Sequence, residues 1–144
     1  MDPLLALAVV GALVGVTTAA GIAWRAAQGR VRRVRATDAV VVDDIALAPA
    51  ATLLQFSSEF CAPCRATAKV LGTIAEATPG VAHVEIDVAE RPELAARFGV
   101  LQTPTTLVLD GDGRARARIG GAVRADALRA ELDRLIAAPA PVTA

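Results

Sequence analysis

Two cysteines and one histidine are all that this chain of 144 residues offers as Cys or His metal ligands. That scarcity excludes a disulfide-rich scaffold. It also leaves too few ligands for a four-coordinate zinc site, unless two copies of the chain share the metal. Net charge is missing as well, with 15 Lys and Arg balancing 15 Asp and Glu. Proteins that hold nucleic acid by bulk electrostatics carry a basic excess, so that class is set aside. No internal repeat is present, and "DGDG" at 110–113 lacks the spaced acids and terminal Glu of a calcium loop. It reads as a turn.

Charge is absent from a long stretch near the start, "LLALAVVGALVGVTTAAGIAW", Leu4 to Trp24. About twenty apolar residues rising ~1.5 Å each match a hydrocarbon core of roughly 30 Å, which predicts one transmembrane helix. A cleaved signal peptide needs basic residues before the apolar run, whereas only Asp2 is charged there, although "TTAA" resembles a cleavage site. Arg25, Arg30, Arg32, Arg33 and Arg35 come directly after the run. The positive-inside tendency places them and the soluble part of the chain on the cytoplasmic side, with the amino terminus outside. Trp24 suits the interface, and the arginines suit anionic headgroups. Gly11 and Gly15 lie one turn apart, a spacing that supports a weak homodimer, although glycine is common in membrane helices anyway.

The rest of the chain alternates between two periods. "ATLLQF" has strand length, and "APCRATAKVLGTIAEA" has Ala66, Val70, Leu71 and Ile74 near helical spacing before "TPG". "VAHVEIDV" is a strand with Val84 and Ile86 on one face and His83, Glu85 and Asp87 on the other. "RPELAARFGV" is a short helix, and "TPTTLVLD" and "RARARIG" form a hairpin around "DGDG". Arg114, Arg116 and Arg118 fall on one face of its second strand, as expected of a solvated edge or a partner contact. "RADALRAELDRLIAA" is an amphipathic helix expected to bury Ala127, Leu128, Leu132, Leu135 and Ile136. A short edge strand is expected at Ala39 to Val42. The order β-α-β-α-β-β-α predicts an α/β fold, with a mixed sheet flanked by helices.

Cys61 and Cys64, in "FSSEFCAPCRA", sit where the first strong strand ends and the first helix of the soluble part begins. Unpaired N–H groups and the helix dipole stabilise a thiolate there, so Cys61 is the expected nucleophile. Cys64, three positions on, lies on the same face and can resolve a mixed disulfide formed on Cys61. Pro63 loses no hydrogen bond in the first turn. A shared zinc site, a structural disulfide and a pair of inert buried thiols compete with this redox reading. A two-residue loop gives a structural disulfide little entropic benefit.

The segments "LLQFSSEFCAPCRATAKVLGTIA" and "VAHVEIDVAERPELAARFGVLQTPTTLVLDGDGRARARIGG" resemble the thioredoxin family over about ninety residues, Ala51 to Ile136. The resemblance implies a thioredoxin-like fold preceded by the anchor. It makes Pro104, in "QTPT", a cis-proline beside the disulfide. It also implies a client groove formed by Phe60, Ala62, Thr103 and Gly120. Family members commonly carry a buried Asp where this chain has Gln55, and a Lys where it has His83. Losing both charges together avoids an unpaired buried charge, which costs several kcal/mol. It leaves the proton acceptor for Cys64 open, and His83, with an ordinary pKa of about 6.5, is a candidate. Ser57 and Phe60 replace the tryptophans usual near the motif, so clients and recycling reductase are expected to differ from those of an ordinary thioredoxin.

The expected organisation is an anchor at 1–24, a basic juxtamembrane linker at 25–37, a thioredoxin-like domain at 38–137 and a flexible tail at 138–144. The expected activity is thiol-disulfide exchange with protein clients at the membrane, with electrons from a reductase or thiol. No organic cofactor, metal or nucleic acid is called for, because the dithiol carries two electrons itself. Two alternatives stand beside this: an extracytoplasmic reductase for secreted or cytochrome-maturation clients, and a non-catalytic binding module.

Overall fold

The computed structural model describes residues 2–34 and 45–137. Its elements run α1 (Pro3–Ala27), β1 (Val31–Arg33), β2 (Ala51–Ser57), α2 (Ala62–Ala77), β3 (Val81–Asp87), α3 (Pro92–Arg97), β4 (Thr105–Asp110), β5 (Ala115–Gly120) and α4 (Ala125–Ala137). The five strands form one sheet in the order β1-β5-β4-β2-β3. β2 and β3 are parallel, joined through α2, while β2–β4, β4–β5 and β5–β1 are antiparallel. This is the mixed, helix-flanked sheet that the alternating periods predict.

Helices on both sides explain why every residue of β2 is buried. On one face Ala51 and Leu53 join Leu71 and Ile74 of α2 and Leu128 and Leu132 of α4. On the other, Leu54 and Phe56 join Ile86, Leu94 and Phe98, with the Phe56 and Phe98 rings 5.7 Å apart. Val84 and Ile86 lie on this second face, as the two-residue period of β3 requires.

Four expectations change. The buried stripe of α2 is Cys64, Thr67, Leu71 and Ile74, and Ala66 faces solvent. That stripe follows helical spacing from Cys64, not the most apolar residues. In α4, Ile136 is 45% exposed, whereas Glu131 is buried and receives Arg33 and Arg134 at 3.4 and 2.8 Å. The third change concerns β5. Its outer side is covered by β1, so the arginine-bearing strand is not an edge, and the Arg118 guanidinium donates to the carbonyls of Phe98 and Gly99. Finally, 31–33, read as linker, is a strand, and α1 extends through Ala27. The strand expected at Ala39 to Val42 and the tail at 138–144 lie outside the described residues.

The turn at 110–113 forms as expected. Asp110 accepts from the backbone N–H groups of Asp112 and Arg114, and Gly113 adopts φ +77°, a left-handed conformation that favours glycine. α1 is long and apolar enough to cross a bilayer, a property it shares with signal sequences.

Candidate active site

The ends of β2, β4 and β5 that meet at the site are aligned by register: Phe56 lies opposite Thr105, and Thr105 opposite Gly120. The chain leaves this end of β2 through Ser58–Phe60 and enters α2, for which Cys61 is the N-cap. Its Sγ accepts the backbone N–H of Cys64 at 3.2 Å, and its carbonyl accepts the same group at 3.0 Å. Pro63, in the first turn, removes an N–H that would have had no helical partner. The sulfur of Cys61 therefore sits where the dipole and free N–H groups of α2 favour negative charge.

Cys61 and Cys64 are joined by a disulfide, with their Cα atoms 5.2 Å apart. Their exposures differ in the way a two-step exchange needs. Cys61 is partly exposed, whereas Cys64 is 2% exposed. An incoming sulfur reaches Cys61 first, and Cys64 can act only from inside.

The Thr103–Pro104 peptide is cis, as the resemblance implies, and Pro104 is buried. Two contacts hold its loop at the site. The hydroxyls of Thr103 and Ser58 are 3.3 Å apart, and the Gly121 N–H donates to the Pro104 carbonyl at 2.8 Å. Phe60 and Ala62 are exposed on the same rim, and Gly120 ends the row Phe56–Thr105–Gly120. A Cβ at Gly120 would lie 2.7 Å from Nε2 of Gln102, so the glycine leaves room for that side chain.

Behind the cysteines, Gln55 is fully buried. Its Nε2 donates to the Cys64 carbonyl at 3.0 Å and to Oε1 of Glu85 at 3.5 Å. Both partners are acceptors only, which fixes the amide so that its Oε1 faces His83 Nε2 at 3.1 Å. His83 must therefore donate from Nε2. It reaches Cys64 through Gln55, not directly. Ser58 and Glu85 were not singled out from the sequence. Glu85 was recoverable, because it stands two residues from His83 on the same strand face. Ser58 was not, because its partner Thr103 is 45 residues away.

Burial pushes the His83 imidazole below its ordinary pKa, opposed in part by the Glu85 carboxylate. The unfolded chain then binds a proton more readily than the folded one, so stability is lost as pH falls from about 6.5 toward the folded-state value. His83→Gln keeps a donor to Gln55 and removes the titration. Urea unfolding should show the parent chain losing more stability between pH 7.5 and pH 5 than the variant does. Parallel losses contradict this assignment.

An accessible capping sulfur, a buried partner sulfur bonded to it and a cis-proline loop alongside define a thiol-disulfide oxidoreductase. Comparison with known proteins agrees. The Thioredoxin family model matches residues 34–134. A thioredoxin of Mycobacterium tuberculosis is 35% identical over 104 residues, covering 72% of this chain and 89% of that protein. One from Streptomyces clavuligerus is 30% identical over 93 residues, covering 65% and 87%. Among solved structures, a mutant thioredoxin from Halobacterium salinarum superposes with a TM-score of 0.56 at 28% identity, covering 62% of this chain and 78% of that one. The chain belongs to the thioredoxin family.

Proposed function

We propose that Cys61 is the attacking thiolate and Cys64 the resolving thiol of a protein disulfide reductase. In this reading α1 tethers it to a membrane, with the domain on the cytoplasmic side. The observation that carries the reading is the placement of Cys61 Sγ as the cap of α2, partly exposed and receiving an N–H, above a buried Cys64. In the reduced chain the Cys61 thiolate attacks one sulfur of a client disulfide. A mixed S–S bond forms, the client bond breaks, and the departing client thiolate takes a proton. Deprotonated Cys64 then attacks Cys61 Sγ, the mixed bond breaks, and the second client thiol leaves. Two electrons have passed to the client, and a reductase or small thiol returns them.

Phe60, Ala62, Thr103, Pro104 and Gly120 form the client-binding rim. Gln55 positions Cys64 through its carbonyl, and His83 holds Gln55 from behind. Sidedness rests on Arg25, Arg30, Arg32 and Arg33 coming directly after the apolar run. A weak homodimer through α1 would use Gly11 and Gly15, one turn apart on the helix.

The test is client capture. Membranes containing Cys64→Ser should yield discrete adducts that disappear on reduction and are absent when Cys61 is also replaced by serine. An adduct-free membrane contradicts the proposal and favours a binding module with idle thiols.

A further inference from the structure

We infer that α1 and β1 hold the thiol end of the sheet against the bilayer, so that the disulfides exchanged belong to membrane proteins and lie within about 20 Å of the headgroups. This rests on the reading that α1 spans the membrane and that Cys61 exchanges disulfides.

The junction between helix and sheet is short and built. Only Gln28, Gly29 and Arg30 separate α1 from β1, at most about 11 Å of chain. Gly29 is buried at φ +72°, its N–H donates to the Gly120 carbonyl at 2.9 Å, and a Cβ there would lie 2.6 Å from the Ala122 carbonyl oxygen. Such a contact fixes the exit of the helix. Register fixes where it exits: Val31 lies opposite Ile119, next to Gly120, at the end of the sheet that carries Cys61. From β1 across β5 and β4 to β2 is three strand spacings of ~4.8 Å, or roughly 15 Å.

Depth is set by the last turn of α1. A pocket of about 370 Å³ is lined by Trp24 and Ala27 of α1 together with Leu101 and Gln102. A tryptophan ending an apolar span marks the headgroup boundary, so the loop leading to Thr103–Pro104 sits at that level. Arg30, Arg32 and Arg118 also line this pocket, and no acidic residue does. At the opposite edge of the site the surface beside Cys64 carries four carboxylates, Glu59, Glu85, Asp87 and Glu90, against one cation, Arg65. An anionic headgroup layer attracts the arginine side and repels the acidic side, which seats the β1 edge on the membrane. Outside α1, among the described residues, the exposed large apolar side chains are Phe60, Leu101 and Ile136. Phe60 adjoins Cys61 in sequence, and Leu101, two residues before Thr103, lines the pocket beside Trp24.

The test uses the full chain carrying Cys64→Ser in phosphatidylcholine–phosphatidylglycerol liposomes. Single-span proteins bear one disulfide at graded heights on helical stalks of ~1.5 Å per residue. Mixed disulfides should form with disulfides below about 20 Å and fall at least tenfold above about 40 Å. Inserting twenty Gly/Ser residues between Ala27 and Gln28 adds a reach of about 25 Å and should restore capture of the tall clients. Equal capture at every height by the chain without the insertion overturns the inference, as does an insertion that leaves the profile unchanged. Two controls separate the underlying readings. A small soluble disulfide peptide should be reduced equally by the otherwise unaltered chains with and without the insertion, and its non-reduction refutes exchange itself. Release of the chain by alkaline carbonate refutes the anchor. Either result removes the inference with its premise.

Discussion

Cys61→Ser should reduce disulfide exchange to the uncatalysed rate, whereas Cys64→Ser should retain the first attack and lose turnover. The asymmetry follows from position, since both residues are cysteines three apart on one helix. Cys61 is the N-cap, with its sulfur at the positive end of α2 and open to an incoming sulfur. Serine there keeps a capping oxygen but supplies no thiolate, so folding is preserved and chemistry is not. Cys64 is 2% exposed, so in the proposed order it meets a client only after Cys61 has captured it. Stopped-flow mixing with a disulfide peptide separates the two: no adduct phase for Cys61→Ser, and a single adduct phase without product for Cys64→Ser. Equal residual turnover in both variants contradicts the assigned order.

Gln55→Leu should lower folding stability by about 2 kcal/mol, a large share of what a domain of this size has to lose. The side chain is fully buried and of similar size to leucine, so the loss comes from its hydrogen bonds rather than from a cavity. The Cys64 carbonyl and the His83 Nε2–H each lose a partner, at 3.0 and 3.1 Å, and the Glu85 contact at 3.5 Å goes with them. Leaving buried polar groups unmade costs more than making them gains. Guanidinium titration of the parent chain, Gln55→Leu, His83→Leu and the double variant checks this. The double variant should cost less than the two single variants added together, because neither leaves the other unpaired. Strict additivity contradicts a shared network.

Much of this architecture was legible in the residues themselves, for identifiable reasons. β2 and β3 are bounded by turn residues and carry a two-residue or continuous apolar pattern, and Cys61 stands at a strand-to-helix junction visible as "QFSSEFCAPC". β1 was illegible because "VRR" after an apolar run serves equally well as the basic flank of a membrane helix. It becomes a strand only by pairing with β5, some 85 residues on, a tertiary contact that no local pattern announces. Ala66 and Ile136 both face solvent, for one reason. The buried stripes run through Cys64 and Thr67 in α2 and past Glu131 in α4, so apolar character alone does not mark the core face. The cis-proline came from family resemblance alone, since "QTPT" fits an ordinary strand start. Gln55 and His83 were visible as a paired departure from the family, but their link to Cys64 through its carbonyl needed the folded chain.

Everything about the activity depends on the charge state of one sulfur. Thiolate absorbance of the reduced chain, followed across pH with a Cys61→Ser variant to isolate the signal, measures it directly. The account predicts that Cys61 titrates well below the free-thiol value of about 8.5, because α2 begins at its sulfur. A Cys61 that titrates at or above that value contradicts it.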